Sequence, residues 1–235
     1  MRAILLELLC GQHEGHLYFL HIMLLVYAAL PITYTFAANA DEKMERYALV
    51  FWIIYGVLLP TAKSFGLLHA FSGIFLQWPL TLAWGAIGCT WLGHFLVKRD
   101  PLPVHLAAAM IFTGFIICFA GTWLQSVRAG KLSAQLEGLS PGSCCIATGF
   151  FSLCIRIGKK ENKKMERIAK EFSGGAFCVY LVHLLVLRAL THIGLSTGCF
   201  RPVVSVPVLA LLCWAISDLA YIICKRIPWI RRWIF

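Results

Sequence analysis

The sequence predicts an all-α protein: a polytopic transmembrane helical bundle of about seven spans. Three observations lead there. Of 235 residues, 60% are apolar by type and only 14% are charged, with mean hydropathy +0.77. A soluble domain runs nearer about 25% charged, so too few polar side chains remain to cover a wet surface. Apolar runs of roughly 20 residues, enough for a helix to cross a bilayer, recur along the chain. Barrel-type alternation is absent, and an open sheet would leave backbone groups unpaired in lipid. A soluble globular enzyme, a disordered chain and a collagen-like repeat are therefore excluded.

Seven runs qualify as spans: Leu17–Ala37, Tyr47–Phe65, Gly73–Val97, Val104–Leu124, Leu139–Ile157, Phe172–Gly194 and Val204–Cys224. The third is 25 residues long with Pro79 near its start, so tilt or a kink accommodates it. The fifth carries Ser140, Pro141, Gly142, Ser143 and Thr148 and is open to a re-entrant reading. Residues 1–16 are expected as an external interfacial segment, and 17–235 as the transmembrane domain. The opening MRAILLELLCGQ imitates a signal or a lipoprotein box, but its apolar core is short, Glu7 breaks it, and Leu9 before Cys10 is not small. An amphipathic segment lying in the interface fits better. Alternatively, further spans precede it.

The chain carries 21 Lys+Arg against 11 Asp+Glu, a net charge of +10. No basic helix with a readable motif accompanies that charge, so nucleic acid is not an expected partner. The charge reads as topology. Segments following spans one, three, five and seven hold 15 Lys+Arg, and the opposite segments hold Arg2, Lys63, Arg128, Lys131 and Arg201. Basic residues collect on the cytoplasmic side and meet anionic membrane lipid there. The expectation is a multi-pass cell-membrane protein with a cytoplasmic C-terminus and an external start. Arg156–Glu171, reading RIGKKENKKMERIAKE, is then the main cytoplasmic loop. It serves topology, or it greets an anionic cytoplasmic donor such as a coenzyme A.

Ten cysteines do not make a disulfide framework. Cys89, Cys118, Cys154, Cys178, Cys213 and Cys224 lie in apolar runs, where they act as small hydrophobes. There is no C-x-x-C pair to support zinc, and adjacent Cys144 and Cys145 are strained partners for each other.

Three sequence words carry a family resemblance. His16–Leu20 reads HLYFL, followed by LLVYAALPI at Leu24–Ile32. Leu92–Leu96 reads LGHFL, and Ser173–Leu187 reads SGGAFCVYLVHLLVL. In order and spacing they resemble the integral-membrane acyltransferase-3 family, whose corresponding stretches are His-Leu-Trp-Phe-Leu with Leu-Tyr-x-x-x-Pro, Leu-Gly-Tyr-Phe-Leu, and Ser-Phe-Gly-Ile-Tyr-Leu-Ile-His-Pro-Leu-Val-Leu. Tyr18 stands for the Trp, His94 for a Tyr and Leu184 for the Pro, while Tyr27, Pro31, Tyr180, Leu181 and His183 match. The closing KRIP at Lys225–Pro228 also looks familial.

The nearest likeness is the branch acting on exported polysaccharides. The resemblance implies O-acyl transfer, acetyl or succinyl, from a cytoplasmic acyl-CoA (acetyl-CoA or succinyl-CoA) to a surface or exocellular polysaccharide. No tightly bound cofactor is implied. Family members usually have about ten spans, the first bearing an Arg and a His. The resemblance thus implies a rear portion lacking three spans, partnered by a missing N-terminal half or by its own copies. An inactive fragment is the other outcome.

Acyl transfer to a hydroxyl needs a base and donors at the developing oxyanion. His16 beside Glu14 is the first candidate, since a carboxylate can orient an imidazole and raise its basicity. A plain interfacial His is the bland alternative. His13 and His16 also have metal spacing, but no third ligand is apparent, so no metal is expected. Tyr180 and His183 are three apart and share a helical face. They line an acyl or substrate tunnel, or His183 is simply satisfied by a nearby carbonyl.

Counting from the inner span ends at about 1.5 Å per residue puts Tyr180 and Asp218 at similar depth, so a hydrogen bond between them is expected. Arg188 either snorkels or holds an anionic substrate. Tyr18, Tyr180, Arg188 and Asp218 make the candidate substrate-binding set, and His16, Glu14 and His183 the catalytic one. Trp78, Trp84, Trp91, Trp123, Trp229 and Trp233 read as belt or packing residues. Gly85, Gly88 and Gly93 read as sites of close helix approach. The competing reading is a transporter or polysaccharide-export subunit, which would show an internal repeat and broken helices. No repeat is found, and Ser140–Gly142 is the one candidate break.

Overall fold

The computed structural model describes residues 18–68, 77–132, 138–159, 163–199 and 201–227. Among them the regular structure is helical, with no strand. Seven helices follow one another: α1 Tyr18–Asn39, α2 Glu42–Ser64, α3 Leu82–Lys98, α4 Val104–Ala129, α5 Pro141–Gly158, α6 Lys163–His192 and α7 Pro202–Arg226. Each expected run is represented. Six of the described helices are long and apolar enough to cross a membrane. The exception is α3, whose 17 residues reach about 26 Å against a hydrocarbon core of about 30 Å.

The helix ends follow from local chemistry. Asp41 caps α2 by accepting from the Met44 N–H at 2.8 Å. Within α2, Ile53–Leu58 widens to a π-helical segment, which frees backbone groups; the Leu80 N–H donates to Tyr55 O at 2.8 Å. Pro79 sits in the bend before α3 and not within a helix, which corrects the kinked third span. Gly130, at φ +63°, ends α4 in the left-handed conformation that favours glycine. Ser140 and Ser143 form a reciprocal capping box, with Pro141 at the first helical position of α5. This helix runs unbroken to Gly158, so the re-entrant reading and the proposed break at Ser140–Gly142 both fall. A second correction concerns Arg156–Glu171: α5 continues to Gly158 and α6 already begins at Lys163, so much of that loop is helix. Its charges hid the helix because hydropathy ignores a polar turn; the Glu166–Lys170 pair at i,i+4 supports it.

The chain packs as two compact units, the helices between Tyr18 and Lys160 and those between Glu161 and Phe235. In the first unit α4 lies along α5, and α1 and α2 lie against α3. Small residues set the α4–α5 approach: a Cβ on Gly149 would meet Ala107 O at 2.5 Å, and one on Gly114 would meet Gly142 O at 2.6 Å. Over Glu42–Trp52, the first half of α2, the buried residues are Glu45, Leu49 and Trp52, spaced as one helical face.

Trp52 is 2% exposed. Its indole N–H donates to Gly85 O at 2.6 Å, and its ring fills the space a Cβ on Gly88 would need. The close approach expected at Gly88 is therefore made by this ring, and the one at Gly85 by the Leu139 side chain and the Gly56 backbone. Among the described residues, none comes within 4 Å of where a Cβ on Gly93 would lie, so no close approach is made there.

In the second unit α6 pairs with α7. Ser205, Leu209, Cys213, Ser217 and Tyr221 are buried at every fourth position of α7, a single ridge suited to the groove of its neighbour. They face α6 at Gly175, Cys178 and Leu190. The Cys213 thiol donates to His183 O at 3.2 Å.

Candidate functional site

The face that buries Trp52 also carries a carboxylate inward. Glu45 lies two turns before Trp52 on α2, and its side chain is only 6% exposed. An ionised group is not left there alone. Glu45 Oε1 accepts from Lys98 Nζ at 2.7 Å, and Arg99 Nη2 stands 3.6 Å from Oε2. His94 Nε2 is 4.0 Å from Oε1. His94 and Lys98 are one turn apart on α3, so both reach the same acid.

Arg99 also donates to Glu42 at 2.9 Å and lies 4.0 Å over the Phe95 ring. The Glu42 hydrogen bond, with the charges of Glu42 and Glu45, holds the Arg99 guanidinium above its ordinary pKa. Phe36 and Trp91, with ring centroids 5.4 Å apart, join Glu45, Leu49, His94 and Phe95 around a cavity of about 10 Å³. That is room for about one water molecule. Trp91 Nε1 and Glu45 Oε2 are buried without a hydrogen-bond partner among the described residues.

The connection beside this cluster is fixed from α5. Arg156 forks onto the chain between α3 and α4, donating to Pro101 O at 3.0 Å and to Leu102 O at 3.1 and 3.3 Å. Lys159 pairs with Asp100 at 3.1 Å. This end of the unit thus assembles Lys43, Arg46, Lys98, Arg99, Arg156 and Lys159 against Asp41, Glu42, Glu45 and Asp100, leaving net positive charge. Replacing Arg156 with Lys keeps that charge and loses the fork. The expected cost is about 1–2 kcal/mol of unfolding free energy, measurable by thermal unfolding in detergent.

In the second unit, His183 Nδ1 lies 2.6 Å from Tyr180 O and 3.2 Å from Val179 O. Carbonyls only accept, so the Nδ1 that faces them is the donor. The Tyr180 and His183 rings stand 6.1 Å apart, so the shared face expected from their spacing is real. The expected Tyr180–Asp218 hydrogen bond is not made. Asp218 Oδ1 sits where a Cβ on Gly175 would fall 2.8 Å away. Gly175 and Tyr180 are five residues apart, about 7.5 Å along the helix. The depth count was taken from an expected helix end at Phe172, whereas α6 starts at Lys163.

Arg188 is exposed on α6, and Tyr18 is exposed at the start of α1. His13, Glu14 and His16 lie outside the described residues. Among the described residues no group of three metal-ligating side chains gathers.

Sequence reasoning missed Glu45, His94, Lys98 and Arg99 as a cluster because their segments were counted as topological charge. Two signals pointed to it. One was an acid one turn inside a capped helix start, and the other a His four residues before a Lys on the next span.

The family comparison concerns nearly the whole of this helical chain. The profile described as an acyltransferase domain, of the acyltransferase-3 type, matches residues 5–223. The chain belongs to the acyltransferase-3 family. The match reaches into both units of this acyltransferase-3 chain. No curated protein matches the chain, and no solved structure does. Family membership makes it a multi-pass membrane acyltransferase in general terms.

Proposed function

We propose that this acyltransferase-3 chain moves an acetyl or succinyl group from acyl-CoA to a hydroxyl of a surface or exocellular polysaccharide. In this reading the donor is received at the Glu45 end of the first unit, taken as cytoplasmic. The supporting observation is the cationic cluster organised on a buried carboxylate. Lys98 is half exposed and Arg99 is 29% exposed, so both reach solvent while Glu45 fixes their positions. Phosphates of a coenzyme A would meet an oriented ammonium and a forked guanidinium.

The base is the second requirement. His16 beside Glu14 keeps that role in the proposal. His183 is the other candidate for this chemistry, its ring oriented by the Nδ1–H bond to Tyr180 O. Tyr18, Tyr180, Arg188 and Asp218 supply polar contacts to the acceptor or acyl group.

Membranes bearing the chain, given labelled acetyl-CoA or succinyl-CoA, are expected to place label on polysaccharide. Lys98→Gln with Arg99→Gln is expected to raise the donor KM about tenfold while leaving kcat within about twofold. Label no higher than in membranes without the chain would overturn the reading. His16→Ala or His183→Ala at full rate would remove that histidine from the chemistry.

A further inference from the structure

Buried polar atoms that lack a hydrogen-bond partner gather at one place in the first unit. Among the described residues there are five such side-chain atoms, and three of them, Glu45 Oε2, Trp91 Nε1 and Arg99 Nε, belong to the Glu45 cluster. Glu45 and Trp91 both line the cavity of about 10 Å³, together with His94 and the apolar side chains of Phe36, Leu49 and Phe95. Glu45 is 5% exposed, and its Oε1 already accepts from Lys98 Nζ at 2.7 Å. Arg99 Nη2 stands 3.6 Å from Oε2, and His94 Nε2 stands 4.0 Å from Oε1. Both separations are too long for a direct hydrogen bond, and a polar gap of the His94 kind is one a bridging water spans.

We propose that this cavity binds one ordered water, which accepts from the Trp91 indole N–H and donates to Glu45 Oε2, and that Trp91 thereby positions the Lys98 and Arg99 cations. The two orphaned groups select the ligand. An indole N–H only donates, and an ionised carboxylate only accepts. A bare cation cannot accept from the indole, and an anion would face the carboxylate. A water does both, and the cavity has room for about one. His94 supplies the third partner usual for a buried water, since an imidazole nitrogen donates or accepts according to its tautomer.

Local structure brings these groups together. Trp91, His94 and Lys98 follow one another on α3 at helical spacing, so they share a face. Glu45 meets that face from α2, and Phe36 of α1 lies against the Trp91 ring with centroids 5.4 Å apart. With Lys98 on one oxygen and the water on the other, the Glu45 carboxylate is held through both and does not turn about its last bond. Lys98 and Arg99 are then fixed relative to one another.

The positioning role rests on the acyltransferase reading with its donor received here; the water site stands without it. The test uses the full chain in phosphatidylcholine nanodiscs with isotope-labelled tryptophan indoles, the Trp91 signal being assigned by its loss in Trp91→Phe. Trp52 is the internal control, because its buried N–H donates directly to Gly85 O. A rotating-frame cross peak from water, of sign opposite to that of proton exchange, is expected at the Trp91 indole proton and not at Trp52. Trp91→Phe keeps a ring and loses the donor. It is expected to raise the donor KM about threefold with kcat within about twofold, while an unmoved Trp52 signal reports an intact fold. Trp91→Tyr, which returns a donor to the cavity, should recover part of that KM.

A Trp91 indole proton without a water cross peak overturns the water site. Trp91→Phe with an unchanged KM, or Phe and Tyr variants with equal KM, overturns the positioning role, since a purely structural ring would not tell the two apart. Water at Trp91 in a chain that transfers nothing from acyl-CoA would strike the acyltransferase reading and leave the water site standing.

Discussion

Gly88→Ala will unseat Trp52. A Cβ at position 88 would lie 2.0 Å from Trp52 Cδ1 and 2.1 Å from Nε1, far inside contact distance. The ring has no space on its other side, because Gly56 and Gly85 already hold it. The variant therefore loses the burial of a 2%-exposed tryptophan and its hydrogen bond to Gly85 O. Loss of a buried Trp side chain costs about 3–5 kcal/mol, and Gly88→Ala is expected near the lower end, since part of the ring can repack. Chemical unfolding in mixed micelles measures it. Gly93→Ala is the internal control: a Cβ there meets nothing nearby, and a helical Gly-to-Ala change is expected to be neutral or slightly stabilising.

Glu45→Ala has the second-largest expected effect. It leaves Lys98 and Arg99 facing one another across the site their carboxylate occupied. Breaking a fully buried pair costs about 3–5 kcal/mol. Lys98 is half exposed and can turn to water, so about 2–3 kcal/mol is expected. Glu45→Gln keeps an acceptor for Lys98 and should cost less. Both should raise the donor KM more than they lower kcat, since Glu45 positions cations and touches no substrate. A stability loss with an unchanged KM would make Glu45 purely structural.

The helices were legible because lipid imposes a long, unambiguous apolar signal. Val104–Leu124 is found at Val104–Ala129, and Val204–Cys224 at Pro202–Arg226. What hydropathy could not carry is polar helix. The nine charged and polar-rich residues from Lys163 to Glu171 belong to α6, yet they read as loop. A depth counted from that misplaced end therefore says nothing of which α7 residue Tyr180 meets. Depth from a span end is a statement about the bilayer, whereas contact between two helices is set by packing, here by Gly175 against Asp218 and Tyr221.

The Glu45 cluster illustrates the same gap from the other side. Its charges entered the topology count as part of one basic side. Nothing in a count of charges tells that Glu45 lies on the buried Leu49–Trp52 face and draws Lys98 and Arg99 to it. By contrast, Tyr180 and His183 were legible as a pair because one helix fixes their spacing without any partner.

The central claim is vectorial acyl transfer by this chain. Its most direct measurement uses sealed vesicles of either orientation, loaded with glycan acceptor and supplied with labelled acyl-CoA, which does not cross the membrane, on the outer surface. Label on the enclosed glycan is expected only when the vesicle surface exposes Glu45, Lys98 and Arg99. Glycan that stays unlabelled in both orientations, while the chain is folded and inserted, would contradict the account.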